Sequence, residues 1–139
     1  MNYFRCLPFV AMVLVGMQSA EAGETGKTGE KAPATKETVV LQRVPVPGTD
    51  REMGMGIAEF PPNAAKPRHK ATGPEVAYVL EGEVTVEIDG QPARLVHAGE
   101  SYRMPANVVH VTTAGPAGAK VLATWAWVPG KPFNISVPK

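Results

Sequence analysis

Two side chains able to hold a metal ion, His69 and Glu75, stand just ahead of the apolar run from Val76 to Leu80. An imidazole nitrogen beside a carboxylate oxygen is a donor pair suited to divalent transition metals. The chain has three histidines, and the other two are His97, just before a turn at Gly99, and His110, inside the apolar stretch Val108 to Thr113. Each residue also has an ordinary reading. His69, flanked by Arg68 and Lys70, fits an exposed basic patch; Glu75, after Gly73-Pro74, fits a loop carboxylate; His110 fits a satisfied core imidazole. What completes a site around His69 and Glu75 depends on the elements that carry them.

Those elements read as short strands. After a turn at Glu81-Gly82, the segment Glu83 to Asp89 alternates strictly: Val84, Val86 and Ile88 share one face, and Glu83, Thr85, Glu87 and Asp89 the other. That is the period of a half-buried strand, and Asp89-Gly90 after it is a strong hairpin signal. Upstream, Thr38 to Val46 predicts a strand that Pro45 and Pro47 demote to a sheet edge. Met53 to Phe60 predicts another, its glycines allowing close approach of a second segment, and Pro61-Pro62-Asn63 ends it. Downstream, the pattern predicts strands at Ala93 to Val96, Ser101 to Met104, Val108 to Thr113 and Val121 to Val128, with a loop from Gly115 to Gly118. Val121, Ala123, Trp125 and Trp127 share a face, so the two tryptophans are expected to line or plug the interior. A proline-bearing tail from Pro129 is expected to pack across the outside. About eight short strands with regular turns and no amphipathic helix indicate an all-β sandwich or barrel.

At this point the chain from about Ile57 to Val128 resembles a cupin, a small double-stranded β-helix (jelly-roll) barrel with a metal site in its mouth. The family's first motif has two histidines two apart, a glutamate after three or four residues, and a glycine-bounded strand. Here His69 is followed by Ala71 in the second histidine's place, then Glu75, then Tyr78-Val79-Leu80-Glu81-Gly82. The second motif runs glycine, five residues, proline, one residue, glycine, two residues, histidine. Gly99 and Pro105 keep that spacing, Asn107 replaces the second glycine, and His110 falls on the histidine. The resemblance implies His69, Glu75 and His110 as metal ligands: two imidazoles and one carboxylate. Such a set suits Fe, Mn, Zn or Ni and leaves positions open for substrate or O₂. Residues i and i+2 of a strand share a face, so the change at residue 71 leaves a methyl beside His69. Water, a substrate oxygen or His97 would fill the gap.

If the chain is catalytic, the resemblance implies dioxygenase-like or other metal-assisted chemistry on a small organic substrate. Glu75 would then be a ligand that also takes a proton, and Tyr78 a supporting donor. The alternative is a non-catalytic cupin that captures a small ligand around a degenerate metal site. Metal binding through histidine is expected to weaken below about pH 6. Small cupins commonly pair, so a homodimer through the Thr38 to Val46 edge is a further expectation.

Composition sets the surroundings. Arg5, the apolar run Leu7 to Met17 and Ala20-Glu21-Ala22 form the three parts of a signal peptide. Residues 1–22 are therefore expected to be removed, placing the protein in the periplasm or outside the cell with no stable membrane insertion. The single cysteine, Cys6, goes with them, so packing or metal rather than disulfides must hold the fold. Residues 23–37, rich in Gly, Thr, Lys and Glu, predict a disordered linker, and residues 38–139 the barrel domain. A formal charge of +1 with interspersed signs gives no basis for a nucleic-acid partner.

Overall fold

A computed structural model describes residues 33–139. The signal-peptide reading and most of the linker reading lie outside those residues. Within residues 33–37, Ala34 bridges Ala65, the Lys36 amide donates to the Glu59 carbonyl at 3.3 Å and its ammonium pairs with the Glu59 carboxylate at 2.6 Å.

Eight antiparallel strands make the fold, and no described residue is helical: β1 (Val39–Pro45), β2 (Glu52–Phe60), β3 (Ala65–Ala71), β4 (Glu75–Ile88), β5 (Arg94–His97), β6 (Ser101–Met104), β7 (Val109–Trp127) and β8 (Asn134–Ser136). The order along one path is β1-β2-β7-β3-β8, and β4 pairs with β5, β6 and β7. This is the all-β architecture that the strand pattern predicts and the jelly roll that the resemblance implies. β1 is an edge strand exposed along its whole length, as Pro45 and Pro47 require.

The turn expected at Glu81-Gly82 and the loop expected at Gly115 to Gly118 are instead bends inside continuous strands. The 14-residue β4 and the 19-residue β7 form one long ribbon, kinked where Gly82 faces Gly118 and Ala119. Gly82 has φ +71°, and a Cβ there would lie 2.0 Å from the Gly118 carbonyl oxygen. Only glycine meets both conditions. Register shifts on either side of Gly82 change the phase of the alternation: Ala77 and Val79 point inward before the bend, Val84 and Val86 after it. The bend lets one ribbon curl around the interior, as bulges do where sheets close.

The core lies within that curl, with Val79, Val84, Val96, Met104 and Val121 essentially inaccessible to water. Each such side chain contributes about 1.5–3 kcal/mol by leaving water. Gly54 admits Trp125, whose ring would lie 2.4 Å from an added Cβ, which is the close approach expected of the β2 glycines.

Asn107, standing where the motif has glycine, has φ +65°, and its amide donates to the Ala71 carbonyl at 2.7 Å. Asparagine tolerates the left-handed region better than other side chains, which explains how the turn survives without glycine. Asn107→Gly is therefore expected to leave stability nearly unchanged. Asn107→Val is expected to cost about 1–2 kcal/mol, read as a shift in urea midpoint.

Candidate metal centre

β3 and β7 bring His69 and His110 directly opposite each other in register. Both imidazoles are buried, with ring centroids 4.3 Å apart and planes tilted by 54°. Each ring is held the same way. Nδ1 of His69 lies 2.7 Å from the Pro67 carbonyl oxygen, and Nδ1 of His110 lies 2.9 Å from that of Val108. A carbonyl only accepts, so both Nδ1 atoms carry hydrogen and both Nε2 atoms keep a lone pair. That is how an imidazole is prepared to bind a metal. Burial holds the His69 pKa down to about 4, against an ordinary 6.5, so the ring is neutral at physiological pH.

Glu75 opens β4 and faces the cavity that His110 lines. Desolvation raises its pKa, and the neighbouring Lys66 ammonium partly offsets that rise. The cavity measures about 110 Å³. Lys66, Tyr102 and Thr112 add polar groups, and Phe60, Val121, Trp125 and Phe133 form apolar wall. Burial, and then the Glu75 charge, push the Tyr102 phenol up, with Thr112 beside it pulling the other way. His69 borders an adjoining hollow with Lys66 and Asn134, residues common to both spaces. Among the described residues, no three histidine, cysteine or carboxylate side chains close around a metal-sized point. The structure thus brings His69 and His110 together and sets Glu75 in the cavity that His110 lines, short of a three-donor cluster. Ala71 is buried beside them.

Tyr78 requires correction. It is 44% exposed on the outer face of β4, between inward Ala77 and Val79, because three residues along a strand reverse the facing of Glu75. The phenol inside the cavity is that of Tyr102. His97 is likewise outside: it is exposed, with Nδ1 3.1 Å from Glu83, and cannot fill the place of the missing histidine. Trp125 lines the cavity as expected. Trp127 packs instead against Phe133, with the Arg43 guanidinium 5.2 Å from its ring centroid.

Three polar cavity residues escape a reading of the motifs alone. Thr112 is two residues from His110 and so shares its facing. Tyr102 lies within the second motif, where alternation with Met104 points both inward. Lys66 is hidden by an irregularity. Between the pairs Lys66↔Thr112 and His69↔His110, β3 uses one residue more than β7, and that bulge turns Lys66 to the same side as His69.

A family model described as a cupin domain matches residues 56–125, half of the chain. The chain belongs to the cupin family. Among curated proteins, this cupin is 40% identical over 84 residues to dimethylsulfoniopropionate lyase DddW of Ruegeria pomeroyi. The match takes in 58% of this chain and 55% of that protein, so the cupin spans about half of its relative's length. Among solved structures it superposes on oxalate oxidase in complex with glycolate with TM-score 0.54 and 25% identity, over 62% of this chain and 46% of the other. It also matches an RmlC-like cupin from Shewanella frigidimarina with TM-score 0.51 and 21% identity, over 70% and 97%. Two cupins with named enzymatic activities are thus similar to this chain.

Proposed function

We propose that the protein is an exported small cupin that holds a divalent metal through His69 and His110, with Glu75 as third donor, and acts on a small organic molecule in the barrel. The observation that carries this reading is the matched pair of buried imidazoles. Their Nδ1–H groups are committed to backbone carbonyls and their Nε2 lone pairs are free. Two such rings and a half-buried carboxylate are a donor set that fits Fe, Mn, Zn or Ni. Export rests on the amino-terminal sequence.

The chemistry favoured is metal-assisted proton transfer of the lyase type, which the likeness to a lyase at 40% identity supports. When bound, a divalent ion supplies Lewis acidity toward a substrate oxygen. The chain's own groups do the rest. Glu75, its carboxylate destabilised by burial, is poised to accept a proton. Tyr102 keeps its proton and donates a hydrogen bond at the cavity wall. Phe60, Val121 and Trp125 keep water from the reacting end. Oxidase-type chemistry is the second reading, favoured by the superposition on oxalate oxidase.

Elemental analysis of protein purified without a histidine tag tests the metal, with about one divalent ion per chain expected. Turnover of dimethylsulfoniopropionate by the metal-loaded protein tests the reaction. Chains free of metal that gain none on dialysis against Zn, Mn, Ni or anaerobic Fe would leave a non-catalytic ligand-binding barrel.

The pH dependence follows from His69. Its pKa is about 4 when folded and 6.5 ordinarily. Between those values the unfolded chain binds a proton that the folded chain refuses. The stability this ring contributes is therefore complete above 6.5 and lost as pH falls toward 4. Because a metal also needs this ring neutral, protonation of His69 is expected to oppose metal binding only as pH approaches 4. Metal content after equilibration at stepped pH checks this.

A further inference from the structure

Lys66 is the cavity residue that neither motif explains, and the fold makes a local irregularity to place it. Regular alternation would put residues three apart on opposite faces of a strand. The extra β3 residue between the Lys66↔Thr112 and His69↔His110 pairs reverses this and turns the ammonium inward. Bulges recur where a strand must re-aim a side chain beside a functional site. The next cation on the strand, Arg68, is neutralised by a two-pronged pair with Asp89. Lys66 has no such partner: among the described residues no carboxylate lies within 4.0 Å of its ammonium, whereas Lys36, Arg43, Arg68 and Lys120 each have one.

The charges around the cavity balance only while no metal ion is bound. Lys66 supplies one positive charge and Glu75 at most one negative, while the imidazoles of His69 and His110 add none when neutral. A divalent ion would leave the chamber strongly positive, and enclosed charge of one sign calls for a counter-charge. Much of the remaining wall, at Phe60, Val121, Trp125 and Phe133, is apolar, so the counter-charge must belong to a molecule with an apolar portion. A chamber of about 110 Å³ admits only a few heavy atoms, well short of the usual drug-sized pocket.

We propose that Lys66 binds the carboxylate of a short aliphatic acid and thereby sets the substrate class of this site. The proposal deepens the metal-site reading and rests on it for the identity of the site. Lys66 is a specificity residue here: it touches the anionic end of the ligand and takes no part in proton transfer.

The test is titration of the full-length, tag-free protein, with its metal content measured in parallel, by propionate, propionamide and inorganic phosphate. Quenching of tryptophan fluorescence is the readout, because Trp125 lines the chamber. Saturable propionate binding is expected, with propionamide at least tenfold weaker and phosphate failing to compete. Lys66→Gln is expected to weaken propionate at least tenfold without changing metal content or melting temperature. Lys66→Arg, which keeps the charge, is expected to stay within threefold of the parent. Absent propionate binding, equal binding of propionate and propionamide, full competition by phosphate, or undiminished binding by a folded Lys66→Gln variant would each overturn the proposal. The two readings fail separately. Metal without carboxylate preference sinks this one alone, and Lys66-dependent propionate binding by a metal-free chain sinks the metal alone.

Discussion

Replacing His110 by alanine is expected to reduce bound divalent metal from about one per chain to less than a tenth of that. Even partners that merely orient a metal ligand are worth about 10–100-fold in affinity, and removing the ligand itself costs at least as much. His110 is the right target because it is the junction of the site: it faces His69 across β3 and Ile88 across β4, and it lines the same cavity as Glu75. His69→Ala is expected to do the same. His97→Ala removes an exposed imidazole paired with Glu83 and is expected to leave metal content unchanged, separating a site effect from the loss of any histidine. The reverse experiment is Ala71→His, which returns an imidazole to the buried position two residues from His69 and is expected to tighten metal binding at least tenfold, about 1.4 kcal/mol. Isothermal titration of metal-stripped protein measures all four. Retained stoichiometric metal in a folded His110→Ala variant would refute the assignment.

The largest loss of stability is expected at Gly73, in the short connection that delivers Glu75. A Cβ there would sit 1.6 Å from the Ala126 carbonyl oxygen and 2.8 Å from its carbon. Neither atom can step aside, because the Ala126 amide is itself bonded to the Pro74 carbonyl at 3.1 Å. Gly73→Ala must therefore separate the β3–β4 connection from β7. A cost of about 3 kcal/mol or more is expected, a fall in melting temperature of roughly 12 °C or more for a domain this size. Gly90→Ala is the control: Gly90 has φ +74° but open space around it, so it meets only the left-handed penalty of about 1–2 kcal/mol. Because the displaced segment begins with Glu75, Gly73→Ala is also expected to weaken metal binding in whatever fraction stays folded.

Much of the fold was legible because most strands announce themselves. Val84, Val86 and Ile88 alternate cleanly, the Asp89-Gly90 turn is local chemistry, and Gly99, Pro105 and His110 keep a recognisable spacing. β3 was not legible as a strand: Ala65 to Ala71 contains a proline and three cations and no apolar alternation. It is extended because β7 and β8 pair with it on either side, a tertiary effect that overrides propensity. The bends at Gly82 and Gly118 read as turns because a phase change in the alternation looks like an interruption when the partner strand is unknown.

The site divides in the same way. His69, Ala71, Glu75 and His110 could be found by motif, and their facing by counting in twos. The same counting, applied from Glu75, already puts Tyr78 on the outside, and the motif resemblance alone had drawn it in. Lys66 could be found by neither route, since the residue that reverses its facing is a property of two strands together.

The chamber is closed in part by Phe133 and Asn134, from a tail whose short β8 pairs with β3 alone. Lys139 follows the end of β8 by only three residues, a reach of about 10 Å when extended. A tag fused after Lys139 is therefore no neutral handle for purification. Six histidines fused there would put foreign imidazoles beside the proposed metal site, and a column charged with nickel would have direct access to load it. The choice of tag thus becomes part of the chemistry being measured.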